Sequence, residues 1–240
     1  MAENTQDYGT LFLIPTLLGD VEPLEVLPMK IKKVLDQTSH YIVENEKSAR
    51  AFIKKVHPGK AQPQLKLDIL NKYTEPTEYD AMLEPCLLGH NVGILSEAGV
   101  PCLADPGSEI VAVAHKKNIT VVPLSGPSSI LMGLIASGMN GQEFSFNGYL
   151  PIETAKRKKK LIALERQSLK GMTQIFMETP YRNMKLLEDV LAACDKNSRL
   201  CIAIDISLQT ESIKTMTIGE WKNNIPDLHK RPAIFVLTAS

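Results

Sequence analysis

Short runs of β-branched and aliphatic residues alternate along this chain with longer stretches whose apolar positions recur every three to four residues. The first pattern predicts buried strands and the second amphipathic helices. Strands are expected at 10–14, 41–43, 65–69, 92–96, 120–122 and 143–147, with helices at 28–36, 46–56, 79–88, 107–117 and 128–137. In the last of these helices, Ser128 or Ser129 suits the first turn and Gly138 suits the stop. Strands that alternate with helices predict an α/β fold whose first sheet is mostly parallel.

After Asn147-Gly148-Tyr149-Leu150-Pro151 the character changes. Residues 151–170 hold seven Lys or Arg against two Glu, a local charge of +5. Beyond that point a helix at 154–169, a strand at 173–177, a helix at 182–194 and strands at 200–206, 213–217 and 233–237 are expected. The reading is therefore two α/β domains, 1–148 and 149–240, each within the usual size range.

Composition narrows the class. The 240 residues carry 27 basic and 27 acidic side chains, with 15 Pro and 14 Gly. Disordered and collagen-like chains are excluded by this balance. Zero net charge argues against a general nucleic-acid binder, although a local basic patch stays possible. The opening residues 1–7 lack a basic region followed by an apolar one, and no run nears the roughly 18 apolar residues that span a bilayer. A cytoplasmic protein without membrane contact is expected. Cys86, Cys102, Cys194 and Cys201 show no paired spacing, and the five histidines are scattered singly. Reduced thiols and no metal site follow.

Candidate chemistry lies at strand ends. No G-x-G-x-x-G follows the first strand and no G-x-x-x-x-G-K-[ST] occurs, so phosphate cradles are unsupported. Residues 93–107 run from a buried strand into a loop with two carboxylates, two prolines and two glycines before the helix at 107–117. Ligands of open α/β sheets bind beyond such strand ends. The alternative is a plain tight loop with Asp105 capping the helix. A similar junction, Ser125-Gly126-Pro127-Ser128-Ser129, offers hydroxyls for a ligand or for capping.

These pieces, in this order, resemble the tetrapyrrole methylase superfamily of S-adenosylmethionine (SAM) dependent methyltransferases, and within it the branch that methylates a cytidine ribose 2′-hydroxyl in small-subunit ribosomal RNA. Residues 96–107 resemble S-D-A-G-x-P-x-x-x-D-P-G, residues 125–129 with 136–139 resemble P-G-P-S-A followed by S-G-L, residues 144–151 resemble F-x-F-x-G-F-L-P, and residues 177–182 resemble Y-E-S-P-H-R. The departures are Glu97 for an aspartate, the changed 44–47 element, and 205–211 where the branch has R-E-L-T-K-x-x-E.

The resemblance implies a cofactor cleft between the domains, with Pro15, Ala98, Gly99, Leu103, Ala104, Ser128, Ser129 and Met177 as SAM contacts. Glu178 and Glu44 match acidic positions of the branch and become the catalytic candidates. A ribose hydroxyl needs a base, whereas a carbon nucleophile on a tetrapyrrole makes a weaker demand. Arg157 and Lys160, in the basic run 156–160, are the candidate RNA contacts, against the plain reading of a solvated helix face. A homodimer is implied as well. Three acceptor readings stay open: ribosomal RNA, a porphyrinoid or other small molecule, or a SAM-binding protein that has lost its chemistry.

Overall fold

The computed structural model describes residues 8–240, and the opening residues read above for a leader, 1–7, lie outside them. The described chain divides by its contacts into two compact units, one ending at Pro127 and the other starting at Ser128.

The first unit contains, in order, β1 (Thr10–Ile14), α1 (Pro23–Val26), α2 (Met29–Gln37), β2 (His40–Val43), α3 (Glu46–Val56), β3 (Lys66–Ile69), α4 (Tyr79–Leu87), β4 (Val92–Leu95), α5 (Ser108–Lys116) and β5 (Thr120–Pro123). Its sheet runs β3-β2-β4-β1-β5, and every neighbouring pair is parallel. Period-two alternation sorts the strand side chains onto two faces. Ile14, Tyr41, Val43 and Leu95 pack with Ile31, Leu35 and Ile53 of α2 and α3. Leu11, Ile42 and Ile94 pack with Leu83, Ile110 and Ala114 of α4 and α5. Both faces are thus covered, as an all-parallel sheet requires. The order also fixes where a crevice opens. From β1 the chain crosses towards β2, and from the adjacent β4 it crosses the other way to β5, so β1 and β4 flank the switch point.

The second unit contains α6 (Ser129–Ala136), β6 (Phe144–Tyr149), α7 (Thr154–Ser168), β7 (Thr173–Met177), α8 (Asn183–Ala193), β8 (Arg199–Ile204), β9 (Ser212–Thr217), α9 (Ile218–Trp221) and β10 (Ala233–Thr238). Its sheet runs β6-β7-β10-β8-β9, with only β6 and β7 parallel. Leu161 and Leu164 of α7 and Leu186, Leu187 and Val190 of α8 cover one face against Phe176, Ile202 and Phe235. On α6, Gly133 allows close approach to the sheet, since a Cβ there would lie 3.0 Å from Ile234 Cγ2.

Three expectations change. The division expected at 148/149 falls at 127/128, because β6 bonds to β7 and lies in the second sheet. The strand expected at 200–206 ends at Ile204, where Asp205 turns into the left-handed region at φ 51°. The helix expected at 107–117 runs from Ser108 to Lys116 with Gly107 as its N-cap and no side-chain cap, so Asp105 does not cap it. Gly138, at φ 70°, does follow the end of α6. No helix among the described residues is long and apolar enough to cross a membrane.

Candidate functional site

At the switch point, the turns after β1 and β4 lock together through short polar contacts. Ser96 Oγ donates to the Gly99 carbonyl at 2.6 Å, and the Thr16 N–H donates to the same oxygen at 2.8 Å. The Thr16 and Ser96 hydroxyls lie 3.3 Å apart, both residues buried. Beyond Gly99 the main chain bends through Cys102 and Ala104, at φ 65° and 67°. Left-handed backbone at residues with a Cβ is uncommon and gathers where structure serves function. A cleft of about 350 Å³ opens beside the turns after β1 and β4, lined among others by Thr16, Leu17, Ser48, Phe52, Lys55 and Glu97.

The sequence-based cofactor candidates of this unit divide by exposure. Ala98, Leu103 and Ala104 are exposed, whereas Pro15 and Gly99 are buried. Pro15 is packed against the turn after β5, so closely that a Cβ on Gly126 would sit 2.3 Å from the Pro15 Cβ.

Three carboxylates in the segments after β2 and β4, Glu44, Glu97 and Asp105, lie within electrostatic reach of one another. Glu44 follows β2, and its Oε1 is buried without a hydrogen-bond partner. Burial, and then the charges of Asp105 and Glu97, push its carboxyl up to about 7. Burial and then Glu97 likewise push Asp105 up to about 6. Ser48, on the first turn of α3, donates to Glu97 Oε1 at 2.6 Å. Asn45 holds that turn by accepting from the Lys47 and Ser48 N–H groups. Among the described residues no group of acidic, His or Cys side chains could hold a metal ion.

In the second unit, Glu178 follows β7 and is buried, accepting from the Thr179 N–H at 2.7 Å and from Arg182 Nη2 at 2.6 Å. Burial pushes its carboxyl up, but the Arg182 and Thr179 bonds and the charges of Arg182 and Arg157 outweigh that and hold it below the usual range. Its carboxylate is committed to Arg182. Ser128 is buried and caps α6, accepting from the Leu131 N–H, while Ser129 and Met177 are partly exposed.

Arg157 is not at the surface where an RNA contact would need it. Its side chain is 3% exposed and pairs with Asp189, itself 2% exposed, through Nε at 2.8 Å and Nη2 at 2.5 Å. Its Nη1 donates to the carbonyls of Ile152 and Pro151. The guanidinium ties α7 to α8 and to the turn before α7. Lys160 stays partly exposed. The partner Asp189 was missed; its signal was a charge amid Leu186, Leu187 and Val190 on a helix face that must be buried. Sequence reasoning also missed the Arg231 and Asp205 pair, 2.7 Å apart, which anchors the altered 205–211 stretch with Thr210.

An open parallel sheet with a cleft beside the turns that follow β1 and β4, and no glycine phosphate cradle, defines an α/β protein with a ligand crevice at its switch point. Comparison with known proteins narrows this further. The family of tetrapyrrole (corrin/porphyrin) methylases matches residues 27–222, and the chain belongs to it. It is a SAM-dependent methyltransferase. Over 91% of its length the chain is 26% identical to ribosomal RNA small subunit methyltransferase I of Escherichia coli, spanning 72% of that protein. The homologue of that name in Vibrio cholerae is 27% identical over 88% of the chain and is covered to 69%. Among solved structures, the methyltransferase CobJ shares the fold with a TM-score of 0.64 at 14% identity, covering 97% of this chain and 95% of its own. A uroporphyrin-III C-methyltransferase from Thermus thermophilus, complexed with S-adenosyl homocysteine, shares it at 0.57 and 16% identity, covering 96% and 97%.

The residues present fit a cationic donor. Glu44 offers a buried oxygen with no partner, and the surrounding negative charge suits a sulfonium while opposing a phosphate.

Proposed function

We propose that the chain methylates RNA of the small ribosomal subunit, with a ribose 2′-hydroxyl as the acceptor. The observation that carries this reading is similarity to proteins named ribosomal RNA small subunit methyltransferase I along 88% and 91% of the chain. Bound SAM supplies an activated methyl carbon. The chain's own contribution is to hold the donor and the acceptor in line and to take the hydroxyl proton.

In this reading, the bent main chain at Ala98, Gly99, Leu103 and Ala104 holds the cofactor, with Pro15 fixing the neighbouring turn. Ser128, Ser129 and Met177 are the contacts proposed from the second unit. Glu44 is the base, because a carboxyl near 7 holds a proton poorly at neutral pH yet accepts one more readily than an ordinary glutamate. Glu178 acts by fixing Arg182 through its ion pair. Lys160 lends positive charge to RNA from the exposed side of α7. The protein works as a homodimer, which light scattering reads as twice the 26.5 kDa chain mass.

The test is methyl transfer from labelled SAM to small ribosomal subunits or to a tetrapyrrole pool. Label in RNA that is lost in Glu44→Gln supports the reading. Label only in the tetrapyrroles contradicts it, and label in neither pool despite SAM binding assigns the chain a non-catalytic role.

A further inference from the structure

The ends of β6 and β7, with the turn before β10, carry two tyrosines and a lysine that the chemistry above does not use. In the sheet register Tyr149 lies opposite Met177, so the end of β6 adjoins the turn that leads into α8. That turn presents Tyr181, a residue 74% exposed. Tyr149 is 56% exposed, and its hydroxyl is within electrostatic reach of the Arg182 guanidinium. The Lys230 ammonium lies 5.9 Å from the centre of the Tyr181 ring.

This arrangement is fixed rather than incidental. The Lys230 N–H donates to the Pro180 carbonyl at 3.2 Å, and Asn183 Nδ2 donates to the Arg231 carbonyl at 2.7 Å. Two bonds therefore clamp the 227–231 turn against the 180–183 turn. Lys230 itself is held at φ 58°, a conformation that a side chain with a Cβ adopts only under constraint. Glu178 pairs with Arg182 and Asp205 with Arg231, while Asp227 accepts from the N–H of His229 and keeps its charge. Lys230 places a positive charge beside an open aromatic face.

We propose that Tyr181, with Tyr149 at the adjoining end of β6, is a stacking platform for an unpaired RNA base, and that Lys230 holds a phosphate flanking that base. An aromatic face gives sequence-tolerant stacking while cations follow the backbone. The inference rests on the RNA reading above and names the surface that would read the acceptor strand.

The experiment is fluorescence anisotropy of a labelled single-stranded RNA of about 16 nucleotides, titrated with the full chain at several salt concentrations. Tyr181→Ala is expected to weaken binding about tenfold with an unchanged salt slope, and Tyr181→Phe to bind like the wild type. Lys230→Ala is expected to reduce the slope of log affinity against log salt by about 0.7. Tyr73→Ala is the control: that residue is 76% exposed with Lys72 over its ring at 4.8 Å, but it sits in the first unit, beyond β3. It is expected to change nothing. A wild-type chain that binds no RNA would contradict the RNA reading itself. Wild-type binding that survives Tyr181→Ala, or that falls equally in Tyr73→Ala, overturns the platform alone. Equal losses in Tyr181→Phe and Tyr181→Ala, with intact circular dichroism, also overturn it, since stacking needs only the ring.

Discussion

Arg157 and Glu44 reverse what their residue types suggest in sequence. An arginine within a basic run reads as a phosphate contact, yet here it neutralises Asp189 in the interior. Removing one member of a buried pair strands the other charge, so Arg157→Ala should destabilise the fold by about 3–5 kcal/mol in chemical denaturation. Were Arg157 an RNA contact, the same substitution would lower affinity and leave stability alone. Glu44 gives a pH-dependent prediction. Its folded-state carboxyl is raised from 4.5 to about 7, so the folded state holds a proton that the unfolded state releases between those values. Its contribution to stability is therefore fully present below pH 4.5 and lost as pH rises through 7. Glu44→Gln should raise the melting temperature above pH 7 and leave it unchanged near pH 4. Glu178 has the opposite sign: its stabilisation is present above pH 4.5 and is lost as pH falls through its lowered value. Both glutamates were visible in sequence as acidic residues at strand ends. What separates them is a guanidinium four residues on from Glu178 and, beside Glu44, two carboxylates that lie distant in the chain.

At the scale of elements, the strand and helix pattern was legible because each parallel strand is a short apolar run and each covering helix keeps one apolar face. The short helices α1 and α9 escaped, since four residues carry too little periodicity to register. The placement of β6 escaped for a different reason: nothing local in Phe144–Tyr149 says which sheet it joins, and its pairing with β7 decides. The junction of β1 and β5 yields a prediction of its own. Gly126→Ala would drive a Cβ into the rigid Pro15 ring, with contacts of 2.3 and 2.6 Å. Neither side can yield by a rotamer change, so the two turns must separate. Calorimetry should show weaker S-adenosylhomocysteine binding in this variant, while far-ultraviolet circular dichroism stays native.

For the whole molecule, a net charge of zero means that any attraction for RNA is local and sensitive to salt. The order of the motifs along the chain made the family legible, since turns with the right residues follow the right strands. The acceptor was less legible, because 205–211, where the similar branch has an arginine and a lysine, carries Asp205 bound to Arg231 instead. The most direct measurement is mass spectrometry of nucleosides from small-subunit ribosomal RNA treated with the protein and isotopically labelled SAM. The account predicts one labelled methyl group on a ribose, retained when the base is removed. A label on a base, or unlabelled RNA from an enzyme that consumes SAM on another substrate, would contradict it.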